Sequence, residues 1–258
     1  MAAKRPFIVI VPGGAHNPAH YGYLSHLLQL AGYPVLSALL PSVGATGKVT
    51  IEEDAQYIRE RMLLPILDIA NHDVILLMHS YAGAPGSASL TGLSKSERLA
   101  AGKTTSVIGQ IFFTAFLTKG GDGLNILDIF GGQFPPYIYP DHERNIVLCD
   151  DPIPPLYQDV APDLADAAAV SGISQCLTSF NSPCPRATWD SDGFKGRVAY
   201  IRTLNDACVP LVAQQMMIDA SGVEITVKDV ESGHSPQLSH PEEFTKIIVE
   251  LSQTFEKL

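Results

Sequence analysis

Charge is scarce in this chain, and nowhere does it gather. Only 17% of residues are charged, 17 Lys and Arg stand against 27 Asp and Glu for a net charge of −10, and the basic residues form no run. That excludes the basic face a nucleic-acid partner needs; the acidic balance favours solubility. Long apolar runs are also missing. None approaches the roughly 18 residues of a membrane span, so no membrane association is expected. The N-terminal apolar stretch, Phe7 to Val11, is too short for a signal peptide and leads straight into Pro12-Gly13-Gly14. The four cysteines, Cys149, Cys176, Cys184 and Cys208, show no C-x-x-C spacing. They read as free thiols in a reducing, cytoplasmic setting, with no zinc site expected. There is no internal repeat and no low-complexity tract. What the chain does have is apolar material, 46% of 258 residues, enough for one large domain with a full core.

That material falls into an alternating pattern. "FIVIVPGG" is a continuous β-branched run ended by Pro and Gly, the pattern of a strand buried on both faces and hence parallel. "HYGYLSHLLQLAGY" follows at helical spacing with Gly32 as its stop, and "PVLSALLP" reads as a second strand. "TIEEDAQYIRERMLLPILDIA" opens on a capping box, Thr50 with Glu53. "DVILLMHS", "SVIGQIFFTAF", "GRVAYIRT" and "EITVKDV" supply four more strands. The chain closes on an amphipathic helix for which Ser239 is the expected N-cap. Strands alternating with helices predict an α/β fold, a mostly parallel sheet with helices on both faces. From about Leu117 to Lys195 the alternation fails, Pro and Gly are frequent, and no strand is convincing. This stretch is too long for an ordinary loop. It is read as an inserted helical cap (117–195) on a core of 1–116 and 196–258.

A further absence lies at the end of the third strand. A nucleophilic serine on a strand-to-helix turn is expected within G-x-S-x-G, yet here the five residues are Met78-His79-Ser80-Tyr81-Ala82. The elbow needs small neighbours because strand and helix approach closely around a strained residue. Ala82, Gly83 and Ala84 are small, and Met78, long and flexible, fits only where a neighbour leaves it room. The rest of the constellation is complete. Ser80 ends the third strand, Asp206 follows the fifth, and His234 follows the sixth. In a parallel sheet all carboxyl ends share one edge, so these side chains can converge. Singly, each would pass as a turn or capping residue; the order Ser, Asp, His and the three matching strand ends make them the candidate triad.

The Gly-rich turn "PGGAH" offers a backbone donor, Gly14, for an oxyanion, and the residue after the nucleophile, Tyr81, offers the second. A phosphate-binding turn is not expected, since neither G-x-G-x-x-G nor G-K-[ST] occurs. His16, His20, Phe116, Tyr137 and Leu156 are the candidate substrate contacts, and His79 is expected to point into the packing. The aromatic content of 117–195 (Phe130, Phe134, Tyr137, Tyr139, Tyr157) would suit a bulky substrate. No metal and no cofactor are implied.

The chain resembles the α/β-hydrolase superfamily, and within it the compact plant-type methylesterase and hydroxynitrile lyase group. The likeness runs through "FIVIVPGGAHNPAHYGYLSHLLQLAGYPV", "VILLMHSYAGAPGSAS", "LYQDVAPDLADAAAV", "YIRTLNDACVP" and "ESGHSPQLSHPEEF". It implies an α/β-hydrolase fold, the triad Ser80, Asp206 and His234, and the donors Gly14 and Tyr81. The group's opening His-Gly is Pro12-Gly13 here. Its hydroxynitrile lyases carry a lysine directly after the catalytic histidine, where this chain has Ser235. Cyanohydrin cleavage is therefore not expected.

The expected function is that of a serine esterase, of the kind found in secondary metabolism, cleaving an ester, lactone or thioester of a small, largely apolar acid. Two alternatives stay open. One is a non-hydrolytic lyase or cyclase acting on a natural-product intermediate with His234 as base. The other is a receptor-like hydrolase that binds its ligand without turnover. The expected partner is a small molecule, with a homodimer left open.

Overall fold

The computed structural model describes residues 4–129 and 131–258; the first three residues and Phe130, one of the aromatics singled out above, lie outside them. The strands are β1 (Phe7–Val11), β2 (Val35–Ser37), β3 (Val74–His79), β4 (Val107–Phe113), β5 (Ile138–Asp141), β6 (Ile146–Cys149), β7 (Gln175–Cys176), β8 (Val198–Thr203) and β9 (Thr226–Val230). Six of them form the central sheet in the order β2-β1-β3-β4-β8-β9, and every pairing is parallel. All six are the strands expected from the apolar runs.

Alternate strand residues feed two core layers, as period-2 geometry requires. Val9, Val11, Leu76, Met78, Phe112 and Tyr200 face one layer, closed by Ile51, Ile58, Met62 and Leu63. Ile8, Ile10, Leu77, Ile111, Phe113 and Ile201 face the other, closed by Leu24, Leu28, Phe244, Ile248 and Phe255. The helices behind these layers are α1 (Gly22–Leu30), α2 (Ile51–Tyr57) and the C-terminal helix Pro241–Lys257. Thr50 and Glu53 make the expected capping box on α2, which continues through π-type turns to Ala70. Ser239 does not cap the last helix. It ends a short helix, Pro236–Ser239, and its hydroxyl donates to the Ser235 carbonyl, leaving His240 as N-cap without a side-chain bond.

The stretch 117–195 departs from the expectation of helices alone. It carries the helix Pro162–Ser171 and shorter ones, but also a small antiparallel sheet in the order β5-β6-β7. The strands are two to four residues long, and β5 contains Pro140. Proline is tolerated there because β5 is an edge strand. The pairing is made by tertiary contact, and β7 also bridges Val43 of the core.

The turn after β3 explains how the chain dispenses with its two missing glycines. Ser80 has φ 52°, in the left-handed region, a conformation that costs a non-glycine residue of order 1–3 kcal/mol. It opens a tight turn, Ser80–Ala82, that runs into α3 (Gly83–Ala88), and the Phe116 N–H donates to its carbonyl at 3.0 Å. The close approaches are served one residue and one helical turn later. A Cβ on Gly83 would lie 2.2 Å from the Phe116 carbonyl oxygen, and one on Gly86 would lie 2.7 Å from the Met78 sulfur. Met78 thus occupies the space Gly86 leaves open. Gly83→Ala is expected to lose ~1–3 kcal/mol or more, because its methyl meets backbone. Gly86→Ala meets a flexible side chain and should lose less, with that loss disappearing in a Met78→Ala background. Chemical-denaturation midpoints of the single and double variants check this; additive losses at 78 and 86 would contradict it.

Candidate active site

The carboxyl ends of β3, β8 and β9 bring the three candidates together. Asp206 follows β8 by three residues and His234 follows β9 by four. His234 Nδ1 lies 2.9 Å from Asp206 Oδ2 with both side chains buried. Asp229, which lies inside β9, is paired with Arg202 at 2.7 Å within the sheet. Ser80 and His234 line the same cavity, of about 120 Å³.

Asp206 is held by more than the histidine. Its Oδ1 accepts the Cys208 and Val209 N–H groups at 2.7 and 2.8 Å. Its Oδ2 accepts the Thr203 hydroxyl at 2.9 Å and also the Thr114 hydroxyl. Burial alone would raise the Asp206 pKa, but the neighbouring His234 charge and these donors outweigh it and hold the carboxyl below its ordinary value. The opposite balance acts on His234. Burial would lower its pKa, yet the Asp206 carboxylate, with Cys208 acting in the same direction, lifts it well above 6.5. Nδ1–H is thereby committed to Asp206, which leaves Nε2 as the basic atom. Thr114 was missed in the sequence. It follows β4 by one residue with φ 39°, a position that only the sheet order sets beside Asp206.

His79 is buried, as expected, and its bonds fix their own direction. Its Nε2 lies 2.9 Å from the His234 carbonyl, which can only accept, so Nε2 carries the proton. Nδ1 must then accept the Tyr21 hydroxyl at 2.7 Å, and the Tyr21 oxygen accepts the Gly13 N–H at 2.9 Å. The backbone of the histidine loop is thereby tied to the Gly-rich turn after β1. His79 also stacks on Phe113, with ring centroids 4.5 Å apart.

The Gly-rich turn faces the elbow: a Cβ on Gly14 would lie 3.5 Å from Tyr81 Cβ. Among the described residues the Gly14 N–H has no protein acceptor, whereas its neighbours Gly13 and Ala15 give theirs to Tyr21 and Gln175. The Tyr81 N–H belongs to the first turn of a helical segment, where no intrahelical acceptor exists. Two backbone donors of this kind can hold an oxyanion.

His16, Phe116, Tyr137 and Leu156 all line the cavity. His16 donates from Nδ1 to the Gly14 carbonyl at 2.7 Å and accepts from the Tyr157 hydroxyl at Nε2, 3.3 Å away. His20 does not reach the cavity. It sits behind His16, takes the Asn17 N–H on Nδ1 and donates from Nε2 to the Ala168 carbonyl at 3.0 Å. Its work is to fasten the turn to helix Pro162–Ser171. Val147, Leu148 and Phe180 complete the apolar wall; they lie in the stretch whose strands were not legible. A larger chamber of about 300 Å³ adjoins it and shares Phe116, Tyr137, Ile138, Phe180 and Cys208. All four cysteines are free. Among the described residues no group of three or more His, Cys, Asp or Glu could hold a metal ion, and no helix is long and apolar enough to cross a membrane.

With the fold and this geometry in view, comparison with known proteins identifies the class. A model of the alpha/beta hydrolase family matches residues 8–247. The chain belongs to that family. It is 28% identical over 253 residues to the alpha/beta hydrolase nvfD of Aspergillus novofumigatus (strain IBT 16806), covering 95% of each chain. Its fold is similar to a pyrethroid hydrolase from Sphingobium faniae JZ-2, with TM-score 0.75, 21% identity and coverage of 98% of this chain and 99% of that one. It is similar also to a methylesterase from Arabidopsis, with TM-score 0.68, 18% identity and coverage of 96% and 99%. The chain is thus a hydrolase-like enzyme whose fold the plant methylesterase shares.

The buried histidines make stability depend on pH in a definite direction. Burial pushes the His16 pKa down to about 3 and that of His79 well below 6.5. Both are neutral when folded, while unfolded imidazoles take up a proton near 6.5. Below that pH the unfolded state binds more protons, so each histidine withdraws stability as pH falls, by about 1.4 kcal/mol per pH unit when fully developed. The lifted His234 and lowered Asp206 contribute fully and constantly between about pH 4 and 6.5 and do not alter this slope. His16→Gln removes one such proton. Its stability should therefore fall less steeply than that of the parent between about pH 6.5 and 4.5 in urea titrations; equal slopes would contradict the assignment.

Proposed function

We propose that this enzyme is a serine hydrolase cleaving an ester, lactone or thioester of a small, largely apolar acid. The observation that carries the reading is a left-handed Ser80 at the tip of β3, sharing one cavity with a His234 bonded to Asp206. In this mechanism His234 Nε2 takes the Ser80 hydroxyl proton as Oγ attacks the carbonyl carbon. Asp206 keeps the imidazole in the required tautomer and stabilises the imidazolium. Gly14 and Tyr81 N–H groups hold the oxyanion of the tetrahedral intermediate. The intermediate collapses to an acyl-Ser80 ester, and the proton on His234 passes to the leaving alcohol or thiol. Water, giving a proton to the same histidine, then attacks the acyl carbon, and His234 returns that proton to Ser80 Oγ as the acid leaves.

The domain division belongs to this reading: 117–195 acts as a cap over the core formed by 1–116 and 196–258. The partner is a small molecule. The apolar walls contributed by Phe116, Tyr137, Leu156 and Phe180 favour an acyl or alcohol group with little polar surface. The adjoining chamber gives a bulky second half of the substrate somewhere to lie. A pyrethroid hydrolase on the same fold is consistent with such a substrate class. One feature favours a second reading, a lyase or cyclase with His234 as base. The cavity walls are almost wholly apolar, and that would disfavour the deacylating water.

Ser80→Ala should lower ester turnover at least ~10³-fold without loss of folding. Asp206→Asn should lower it about 10⁴-fold, because the amide favours the wrong histidine tautomer. The base must be neutral, so kcat/KM should climb with pH through a limb above 6.5, and Asp206→Asn should move that limb to lower pH. Rate profiles against pH on a chromogenic ester check all three. An active Ser80→Ala enzyme would favour the base-only reading.

A further inference from the structure

One buried carboxylate has no role in the chemistry above. Asp54, on α2, is fully buried and has no cationic partner among the described residues. Its Oδ1 accepts the Ser42 N–H at 3.0 Å. Its Oδ2 accepts the Ser42 hydroxyl at 2.5 Å and the Tyr81 hydroxyl at 2.7 Å. Tyr81 is the elbow residue whose N–H is one proposed oxyanion donor.

The second arm runs to the other donor. The Ser42 oxygen accepts from Gln175 Nε2 at 2.6 Å, and that amide also donates to Ser179 Oγ at 3.0 Å. Gln175 Oε1 accepts the Ala15 N–H at 3.0 Å. Ala15 immediately follows Gly14 and has φ 61°, a strained conformation for a residue with a side chain. Its carbonyl is held as well, by the Ile173 N–H at 2.9 Å. Residues 173–176 thus clamp the Gly-rich turn on both sides of Ala15. The same segment is seated on the core by Gly44 N–H to the Ser174 carbonyl and Cys176 N–H to the Ser42 carbonyl, each 2.8 Å.

The chain of bonds has one direction. A carboxylate can only accept, so Ser42 must give its proton to Asp54 and turn its lone pairs to Gln175. That requires the amide nitrogen on the Ser42 side, which leaves Oε1 facing Ala15. The same orientation is required from the other side, because the Ala15 N–H can only donate and Ser179 gives its own proton to the Cys176 carbonyl at 2.7 Å. A donor in place of the Asp54 carboxylate would leave the Ser42 proton without its acceptor and set Ser42 against this fixed amide.

We propose that Asp54 and Gln175 are positioning residues that set the width of the oxyanion hole, one wall through the Tyr81 hydroxyl and the other through Ser42, Gln175 and Ala15. This inference rests on the hydrolase reading for its kinetic consequence and on the geometry alone for its structural one. A hole built this way makes the transition state depend on a segment of the cap, 173–176, that touches none of the three triad side chains through a hydrogen bond.

The test uses the intact chain with Asp54→Asn and Gln175→Met. Substrate is a p-nitrophenyl ester of a short acid, phenylboronic acid is the tetrahedral analogue, and benzoate is the ground-state ligand. In both variants kcat should fall ~10–10²-fold while KM moves less than about threefold. Phenylboronate inhibition should weaken by about the factor lost in kcat, and benzoate inhibition should hold. Amide hydrogen exchange across 12–16 should accelerate. Where Asp54→Asn does not fold, Ser42→Ala, which breaks the same chain without touching charge, must give this pattern. Wild-type kcat in a folded variant overturns the proposal, as does a loss of benzoate binding equal to the loss of kcat. If the parent itself neither hydrolyses esters nor binds boronate, the hydrolase reading fails instead. Exchange at 12–16 then decides the network: faster exchange supports it and unchanged exchange overturns it.

Discussion

The left-handed backbone at Ser80 is the constraint on which the rest of this structure depends. A residue with a side chain holds that conformation only where its surroundings leave no cheaper one. Here the surroundings are a buried strand behind it, a helix start ahead, and the Phe116 N–H fixing its carbonyl. The strain points the side chain out of the sheet edge, into the cavity that also contains His234. Everything near the elbow can be read as accommodating it. Gly83 yields to the Phe116 backbone, Gly86 yields to Met78, and Tyr81 is anchored through its hydroxyl on a buried carboxylate.

Two further linkages make the site a unit. Through Tyr21 and His79, the backbone of the His234 loop is joined to the turn that carries Gly14. Through five donors, Asp206 stays ionised in a place where burial alone would favour its neutral form. The depressed pKa of Asp206 and the raised pKa of His234 are two sides of one interaction. It orders the proton between them and leaves Nε2 as the basic nitrogen.

Much of this was legible in the sequence because it rests on local pattern. Buried parallel strands need continuous apolar runs, and the six runs were the six strands. The sites at their carboxyl ends followed from topology, which sets the residues after β3, β8 and β9 on one edge of the sheet. The structure withheld what depends on long-range contact. The strands at Ile138–Asp141 and Ile146–Cys149 are too short, and the first too proline-bearing, to announce themselves. Thr114 reaches Asp206 only through the order of the sheet, and His20 was drawn away from the cavity by the Ala168 carbonyl. Asp54 did leave a trace. It sits among Ile51, Ala55 and Ile58 at helical spacing, a charged residue inside the apolar stripe of its helix, and such a residue needs buried partners.

The proposed hydrolysis requires that Ser80 form a covalent acyl intermediate. The direct measurement is mass spectrometry of the protein quenched within milliseconds of mixing with an activated ester, followed by peptide mapping. An added acyl mass is expected on the peptide containing Ser80, appearing and decaying at the rate of turnover. Turnover with no such adduct, or an acyl group carried instead on Cys208 in the same cavity, would contradict it.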